Sequence, residues 1–73
     1  MMVIKRSDLE PGKHYTLHDG SHRIRVECKR GTDGVTIMLR PIGSFLLGFL
    51  DADENEFAAV DVASHCTFWQ EQD

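Results

Sequence analysis

Three histidines, His14, His18 and His22, are the residues of this chain whose type and spacing could do chemistry. On a helix, a spacing of four residues would align the three imidazoles on one face, where they could bind zinc. The dipeptide Asp19-Gly20 interrupts this spacing, and Asp-Gly between alternating apolar residues is the strongest short-range signal of a β-hairpin. The sequence therefore predicts two strands and a turn here instead of a helix.

The register of this hairpin decides whether the histidines could share a metal ion. A two-residue turn places Tyr15 opposite Ile24, which pairs two apolar side chains. A three-residue turn would place Tyr15 opposite Arg25, and the two faces of the hairpin would then clash. The two-residue turn is therefore predicted, and in that register His18 and His22 point to opposite faces. No metal site is predicted.

Alternation of apolar and polar residues predicts a second hairpin directly after the first. Pairing Cys28 with Val35 also places Val26 opposite Ile37, and residues 30–33 then form the connecting loop. In this arrangement Val35 is predicted to point inward with the other apolar residues. Three strands form a meander with one apolar face.

Turn signals recur every 8–12 residues or so, which is typical of a small β-barrel or sandwich. The apolar segment 43–50 is a strand buried on both faces, a short helical turn or an exposed partner site, and a place in the core is favoured. The remaining predicted elements are a first strand at residues 3–5, a capped helical turn at 7–10, a strand at 57–62, a tight turn at 61–64 and a last strand at 66–70. The predicted fold class is a single mainly β domain over residues 1–73, a small SH3-like or open β-barrel of about five short antiparallel strands with one short helical turn.

Length and composition exclude several classes of function. A chain of 73 residues buries a small core and has no room for a large enclosed substrate cavity. The glycines match no phosphate-binding loop, and Ser64-His65 adjacent in sequence is not a catalytic triad. Cys28 and Cys66 are predicted to be buried thiols. We therefore expect no enzymatic activity, no cofactor, no small-molecule substrate and no membrane span, and a cytoplasmic location.

Charge is divided between the two parts of the chain. Residues 1–40 contain all eight Lys and Arg with five acids, a net charge of +3, whereas residues 41–73 contain seven acids and no Lys or Arg, a net charge of −7. A basic set on the outward face of the meander and an acidic set in the loop at 51–56 are candidate partner-binding surfaces. These candidates are Arg23, Arg25, Lys29 and Arg40 in the basic set, and Asp51, Asp53, Glu54 and Glu56 in the acidic set. Trp69, the best residue for stacking on a nucleobase, lies in the acidic part and is expected apart from the basic set.

Two RNA-binding families resemble parts of this chain. Residues 35–50 resemble the first Sm motif, with alternating apolar residues followed by Gly43 and Gly48, although the segment 51–57 lacks the Asp-x-x-Met-Asn expected next. The strand spacing over residues 2–41 is similar to that of CsrA-type regulators. Those proteins use an Arg after the proline of the fourth strand, and no counterpart follows Pro41 in this chain. These resemblances imply an alternative function, a small RNA-binding barrel that uses the basic set.

The whole chain resembles, in character and without a shared motif, the small inhibitors of bacterial RNA polymerase that lytic phages encode. The shared features are a short acidic chain, a charge-polarised surface and the lack of a predicted cofactor. The resemblance implies a protein that binds polymerase subunits in the host cytoplasm, blocks initiation by interfering with sigma and promotes readthrough of terminators. The sequence thus predicts a non-enzymatic protein-binding regulator first and an RNA-binding barrel second.

Overall fold

The computed structural model describes residues 2–42 and 56–71, which form six antiparallel strands in one open sheet. The strands are β1 (Met2–Ile4), β2 (His14–His18), β3 (Arg23–Arg30), β4 (Ile37–Pro41), β5 (Phe57–Ala58) and β6 (Thr67–Gln70). Two 3-10 turns, Arg6–Asp8 and Ala59–Asp61, are the helical elements in this part of the chain. Neighbouring strands follow the order β1-β6-β2-β3-β4-β5. The prediction of a mainly β chain is confirmed.

The core lies on one side of the sheet, the inner face, which is defined by Tyr15, Val26, Cys28 and Leu39. Val26, Cys28 and Leu39 have no exposed surface, and Tyr15 is almost as deeply buried. The Tyr15 hydroxyl accepts a hydrogen bond of 2.9 Å from the backbone N–H of Glu10, so its polar end is satisfied. The inward direction predicted from alternation is therefore confirmed for Tyr15, Val26 and Cys28.

The first hairpin has the predicted strands but a different register. Tyr15 lies opposite Val26, two residues beyond the partner that a two-residue turn would give it. The turn has four residues, because the Asp19 carboxylate accepts hydrogen bonds from the backbone N–H groups of Ser21 and His22 at 3.0 and 2.7 Å. A shift of two residues leaves each side chain on its predicted face, so the core is unaffected.

The second hairpin is also displaced, by four residues. Cys28 lies opposite Leu39, and not opposite Val35 as predicted. The Asp33 carboxylate organises a longer loop by accepting hydrogen bonds from the backbone N–H groups of Val35 and Thr36 and from the Thr36 hydroxyl. Val35 belongs to this loop and is 75% exposed, so its predicted inward direction is wrong.

The predicted strand at residues 57–62 is wrong beyond Ala58, where the second 3-10 turn begins. Arg6, which follows β1, forms hydrogen bonds with the backbone of that segment. Its guanidinium donates hydrogen bonds to the carbonyls of Ala59, Val60 and Ala63 at 3.0, 3.2 and 3.3 Å. These contacts join the segment that follows β1 to the segment that follows β5.

The remaining predicted elements are displaced by one or two residues. β1 lies one residue before the predicted strand, and the first 3-10 turn begins at Arg6, one residue before the predicted helical turn. The tight turn expected at 61–64 spans residues 63–66, where the Cys66 N–H donates to the Ala63 carbonyl at 3.1 Å.

Several predictions fall on residues outside the described part of the chain. These are the apolar segment 43–50 and three members of the acidic set, Asp51, Asp53 and Glu54. Glu56, the fourth member, is described and lies just before β5. Within residues 2–42 and 56–71, no helix is long and apolar enough to cross a membrane.

Candidate interaction face

One row of side chains crosses four strands on the side of the sheet away from the core. Trp69 lies opposite Val3 on β1 and opposite Thr16 on β2. Thr16 in turn lies opposite Arg25 on β3. Since paired residues on neighbouring strands share a face, these four residues define the outer face of the sheet. The expectation that Trp69 lies apart from the basic set is therefore wrong, because β6 lies between β1 and β2.

Arg25 forms a bidentate ion pair with Glu71, which follows β6. Its Nε and Nη2 atoms donate to the two carboxylate oxygens of Glu71 at 2.7 and 3.0 Å, and the Thr16 hydroxyl donates to the same carboxylate at 3.3 Å. The hydrogen bonds from Arg25 lower the pKa of Glu71, and the same contact raises the pKa of Arg25. Both groups are therefore charged at neutral pH. Thr16 is buried beneath this pair although it lies on the outer face.

Two more members of the basic set are also bound to carboxylates. Arg40 donates from Nε and Nη2 to one oxygen of Glu27 at 3.1 and 2.7 Å, and this contact lowers the pKa of Glu27. The Lys29 ammonium donates to the Glu56 carboxylate at 2.8 Å. Glu56 belongs to the acidic set, so the basic and acidic sets meet at this point. The predicted separation of the two sets is therefore wrong for Glu56.

Arg23 is the member of the basic set without a carboxylate partner among the described residues. It is exposed and lies opposite His18, whose ring centroid is 5.4 Å from that of Trp69 at an interplanar angle of 37°. The Trp69 indole N–H donates to the Thr67 hydroxyl at 3.0 Å, which fixes the ring. The His18 Nε2 atom is buried and has no hydrogen-bond partner within the described residues. An exposed cation thus flanks a packed aromatic pair.

The three histidines that first suggested chemistry do not converge. His14 lies opposite Glu27 on β3, and His18 belongs to the aromatic pair. His22 lies in the hairpin turn with its Nδ1 atom 3.6 Å from the Asp19 carboxylate. In the described ranges, no group of three or more His, Cys, Asp and Glu side chains could hold a metal ion.

The two cysteines lie in environments that disfavour reactive thiolates. Cys28 is fully buried, which confirms its predicted position in the core, whereas Cys66 is half-buried, so its prediction is confirmed only in part. Burial raises the pKa of both thiols. Because the thiolate is the nucleophile, neither position favours covalent chemistry.

Glu71 is the residue of this face that sequence analysis missed. Its partner Arg25 lies 46 positions away, and no local pattern links two residues at that distance. The one sequence signal is that Trp69 and Glu71 alternate on a strand-like segment, which places them on the same side of β6. Knowing which strand lies beside β6 requires the fold.

Comparison of the chain with protein-family models, curated proteins and solved structures finds no match. Its function is therefore inferred from the outer face itself. That face combines a hydrogen-bonded tryptophan, arginines paired with carboxylates and Arg23, which has no carboxylate partner among the described residues. Such a surface can bind another macromolecule, and no described group on it is placed as a nucleophile activated by a neighbouring base.

Proposed function

We propose that the chain is a non-enzymatic protein-binding regulator that contacts its partner through the outer face. The observation that carries this proposal is the binding of Arg25 by Glu71, repeated in the pairs Arg40–Glu27 and Lys29–Glu56. Cations that are already bound to carboxylates contribute little to the displacement of counterions from a phosphate backbone. Ordered Arg and Trp side chains are instead enriched at the centres of protein interfaces.

Bacterial RNA polymerase is the partner that we propose. The proposal rests on the whole-chain resemblance to phage-encoded inhibitors of that enzyme. In this function the chain binds polymerase in the host cytoplasm, inhibits initiation by interfering with sigma and acts as an antiterminator. The acidic set would strengthen such binding, since acidic surfaces steer a protein toward the basic channels of nucleic-acid enzymes.

We further propose that the sheet closes as a small SH3-like barrel. β1 and β5 are the two ends of the strand order, so a barrel requires them to approach each other. The hydrogen bonds from Arg6, just after β1, to the carbonyls of Ala59 and Val60, just after β5, support this closure.

Direct binding to purified bacterial RNA polymerase tests the function. The immobilised chain is exposed to core enzyme, to sigma and to holoenzyme at physiological ionic strength, and sigma release is followed in the same assay. We expect Arg23→Glu and Trp69→Ala to weaken polymerase binding about tenfold or more, as truncations at an interface centre do. The control is Val60→Ala, an exposed valine away from the outer face, which should bind like the natural chain.

The polymerase proposal fails if the natural chain binds none of the three preparations. If it binds and only Lys substitutions in the acidic set reduce affinity, the contact surface is formed by the acidic set instead of the outer face. Circular dichroism of each variant separates lost binding from lost folding. Arg23→Glu is the decisive variant, because Arg23 is exposed and makes no ion pair within the described residues.

An Sm-like or CsrA-like RNA-binding barrel is the second candidate function, and one observation favours it. Trp69 and His18 form an aromatic pair beside Arg23, which suits a stacked nucleobase with a neighbouring phosphate. Anisotropy of a labelled single-stranded RNA across a salt series tests this candidate. It predicts a steep loss of affinity with salt and a large loss in Arg23→Glu. Lys13→Glu gives the same change in net charge elsewhere and should retain binding.

A further inference from the structure

The two hairpin turns of the described chain each contain an Asp-Gly dipeptide. Asp19-Gly20 lies between β2 and β3, and Asp33-Gly34 lies between β3 and β4. In such a dipeptide the glycine nitrogen can attack the side-chain carbonyl carbon of the aspartate, because glycine has no side chain to hinder the approach. The cyclic succinimide that forms then opens with water to isoaspartate. The sequence alone does not distinguish the two dipeptides, so any difference between them comes from the fold.

The carboxylates of the two dipeptides are held alike. Each accepts hydrogen bonds of 2.7–3.0 Å from the backbone N–H groups two and three residues further along the chain. Both glycines have a positive φ, 102° at Gly20 and 73° at Gly34. The difference between the two sites therefore lies in the attacking nitrogen and in the oxygen that leaves.

The glycine nitrogen is engaged at one site and available at the other. The Gly34 N–H donates to the Gly31 carbonyl at 3.0 Å, and this bond must break before the nitrogen can lose its proton and attack. Gly20 is exposed, and its N–H has no hydrogen-bond partner among the described residues. Water therefore has access to the Gly20 N–H and can accept its proton.

The oxygen that leaves also has different neighbours at the two sites. The Asp33 Oδ2 atom accepts a hydrogen bond from the Thr36 hydroxyl, a group that does not give up its proton near neutral pH. The Asp19 Oδ2 atom lies 3.6 Å from the Nδ1 atom of His22. Imidazole gains and loses a proton near neutral pH. His22 can therefore protonate the oxygen that leaves Asp19, whereas Thr36 cannot do so at Asp33.

We infer that Asp19-Gly20 is a site of spontaneous self-modification to isoaspartate, from which the fold protects Asp33-Gly34. The Gly20 nitrogen bonds to Cγ of Asp19 and loses its proton, and the bond from Cγ to Oδ2 breaks. Oδ2 leaves as water with two protons, one equivalent to that lost by Gly20 and one from the His22 imidazolium.

Water completes the conversion of the succinimide. It adds to the backbone carbonyl carbon of Asp19 and breaks the bond from that carbon to the Gly20 nitrogen. The new carboxyl group ionises, which returns the proton that His22 supplied. One water is released and one is consumed, and nothing is oxidised or reduced.

The modified turn lies directly beside the outer face. His18 and Arg23 form the last residue pair of β2 and β3 before the turn. Isoaspartate adds a methylene group to the main chain and removes the side-chain oxygen that binds the N–H groups of Ser21 and His22. The end of the hairpin, and with it the position of Arg23, should therefore change. An effect on partner binding rests on the proposed function, whereas the rearrangement does not.

Peptide mapping of the natural chain tests the inference. The chain is incubated at neutral pH and physiological temperature and digested with trypsin, which cleaves between the two sites. Isoaspartate is then measured in each peptide by methylation with an isoaspartate methyltransferase and by mass spectrometry. We expect isoaspartate to form at residue 19 about tenfold or more faster than at residue 33, because residue 33 reacts only after protecting hydrogen bonds break.

The same chain unfolded in urea is the matched control. There the two dipeptides lose their different surroundings and should react at similar rates. Equal rates at the two sites in the folded chain, or faster reaction at residue 33, would overturn the inference. A failure of polymerase binding has no bearing on this result, because isoaspartate is measured without a partner.

His22→Gln tests the proton donor. This variant keeps the backbone N–H that binds Asp19 but removes the imidazole, so isoaspartate should form at residue 19 about tenfold or more slowly. The matched control is His14→Gln, at the other end of β2, which should react like the natural chain. Circular dichroism confirms that both variants are folded. An unchanged rate in folded His22→Gln would overturn the role of His22.

Discussion

The inner and outer faces of this sheet are formed by the same strands but are stabilised by different forces. On the inner face, Val26, Cys28 and Leu39 are removed from water completely. On the outer face, the ordered contacts are ion pairs such as Arg25–Glu71 and the aromatic pair of His18 and Trp69. Apolar burial stabilises in proportion to area, whereas exposed ion pairs contribute little because water and salt screen them. The inner face therefore determines stability, and the outer face remains available for binding.

Leu39→Ala tests this difference at the inner face and should have the largest effect. Removing three buried carbons and leaving a cavity costs about 2–5 kcal/mol, and a domain of this size has only about 3–5 kcal/mol of stability. We expect a largely unfolded chain at 25 °C, measured by circular dichroism with a urea titration. Met38 precedes Leu39 and lies on the outer face, so the Met38→Ala variant should unfold at a clearly higher urea concentration. Equal midpoints for the two variants would contradict the division between faces.

Arg6→Met tests the connection between the ends of the sheet. It removes hydrogen bonds to three carbonyls, of Ala59, Val60 and Ala63, and the stacking of the guanidinium 5.8 Å from the Phe68 ring. We expect a loss of about 1–3 kcal/mol in the free energy of unfolding, measured by urea titration. Arg30→Met removes an exposed arginine and should change stability by less than about 0.5 kcal/mol. An unchanged free energy of unfolding in Arg6→Met would show that these contacts do not stabilise the fold.

The pH dependence of the free energy of unfolding tests the turn that connects β3 to β4. Hydrogen bonds from Thr36 and Val35 lower the pKa of Asp33 from 3.8 to about 2. A lowered carboxyl pKa stabilises the fold at pH above the unfolded value, and this stabilisation is lost as pH falls from about 4 through about 2. Asp33→Asn should therefore be less stable than the natural chain at pH 7 and should approach it below that window. Urea midpoints at pH 7, 5, 4, 3 and 2 measure the difference. Asp61→Asn, at an exposed aspartate without a side-chain hydrogen bond in the described residues, serves as the control.

Glu71→Gln should have the smallest effect on stability and separates the two candidate functions. Loss of the carboxylate charge weakens a single ion pair whose arginine is exposed to water, so the urea midpoint should change only slightly. Arg25 is then released from its ion pair. We expect weaker binding to a protein partner, since the arginine loses its fixed position, but stronger binding to RNA, since one more cation can contact phosphate. The same variant is measured in the polymerase assay and in the RNA assay. Weaker polymerase binding supports the protein-binding function, and stronger RNA binding supports the RNA-binding function.

Much of the fold follows from the chain's own alternation. Period-two patterning predicts the strands at β2, β3 and β4 and the inward direction of Tyr15 and Val26, both confirmed. The registers were wrong by two and four residues, because the side chains of Asp19 and Asp33 organise longer turns than the simplest hairpin. A shift by an even number of residues keeps a strand residue on its predicted face, so Tyr15 and Val26 point inward although the predicted pairing was wrong. Val35 is the exception, because the longer loop takes it out of the strand.

The candidate site was less predictable than the core. Arg23 and Arg25 were placed correctly on the outward face from local alternation. The position of Trp69 on the same face was missed, as was the pairing of Glu71 with Arg25. Both depend on β6 pairing with β2, a contact between segments about fifty positions apart. Charge counted along the chain therefore gave two separate halves, where the fold brings acids onto the basic set.

The sequence by itself determined which side of its strand each residue occupies, because the geometry of an extended chain alternates side chains regardless of its neighbours. It also determined the small size of the core and the positions of the turns at Asp19 and Asp33. Tertiary structure alone decided which strands are neighbours. Inserting β6 between β1 and β2 pairs β6 with both of these strands, which brings Glu71 to Arg25 and places Trp69 opposite Thr16. Such pairing is chosen by burial of the whole inner face, a sum over distant segments that no local pattern encodes.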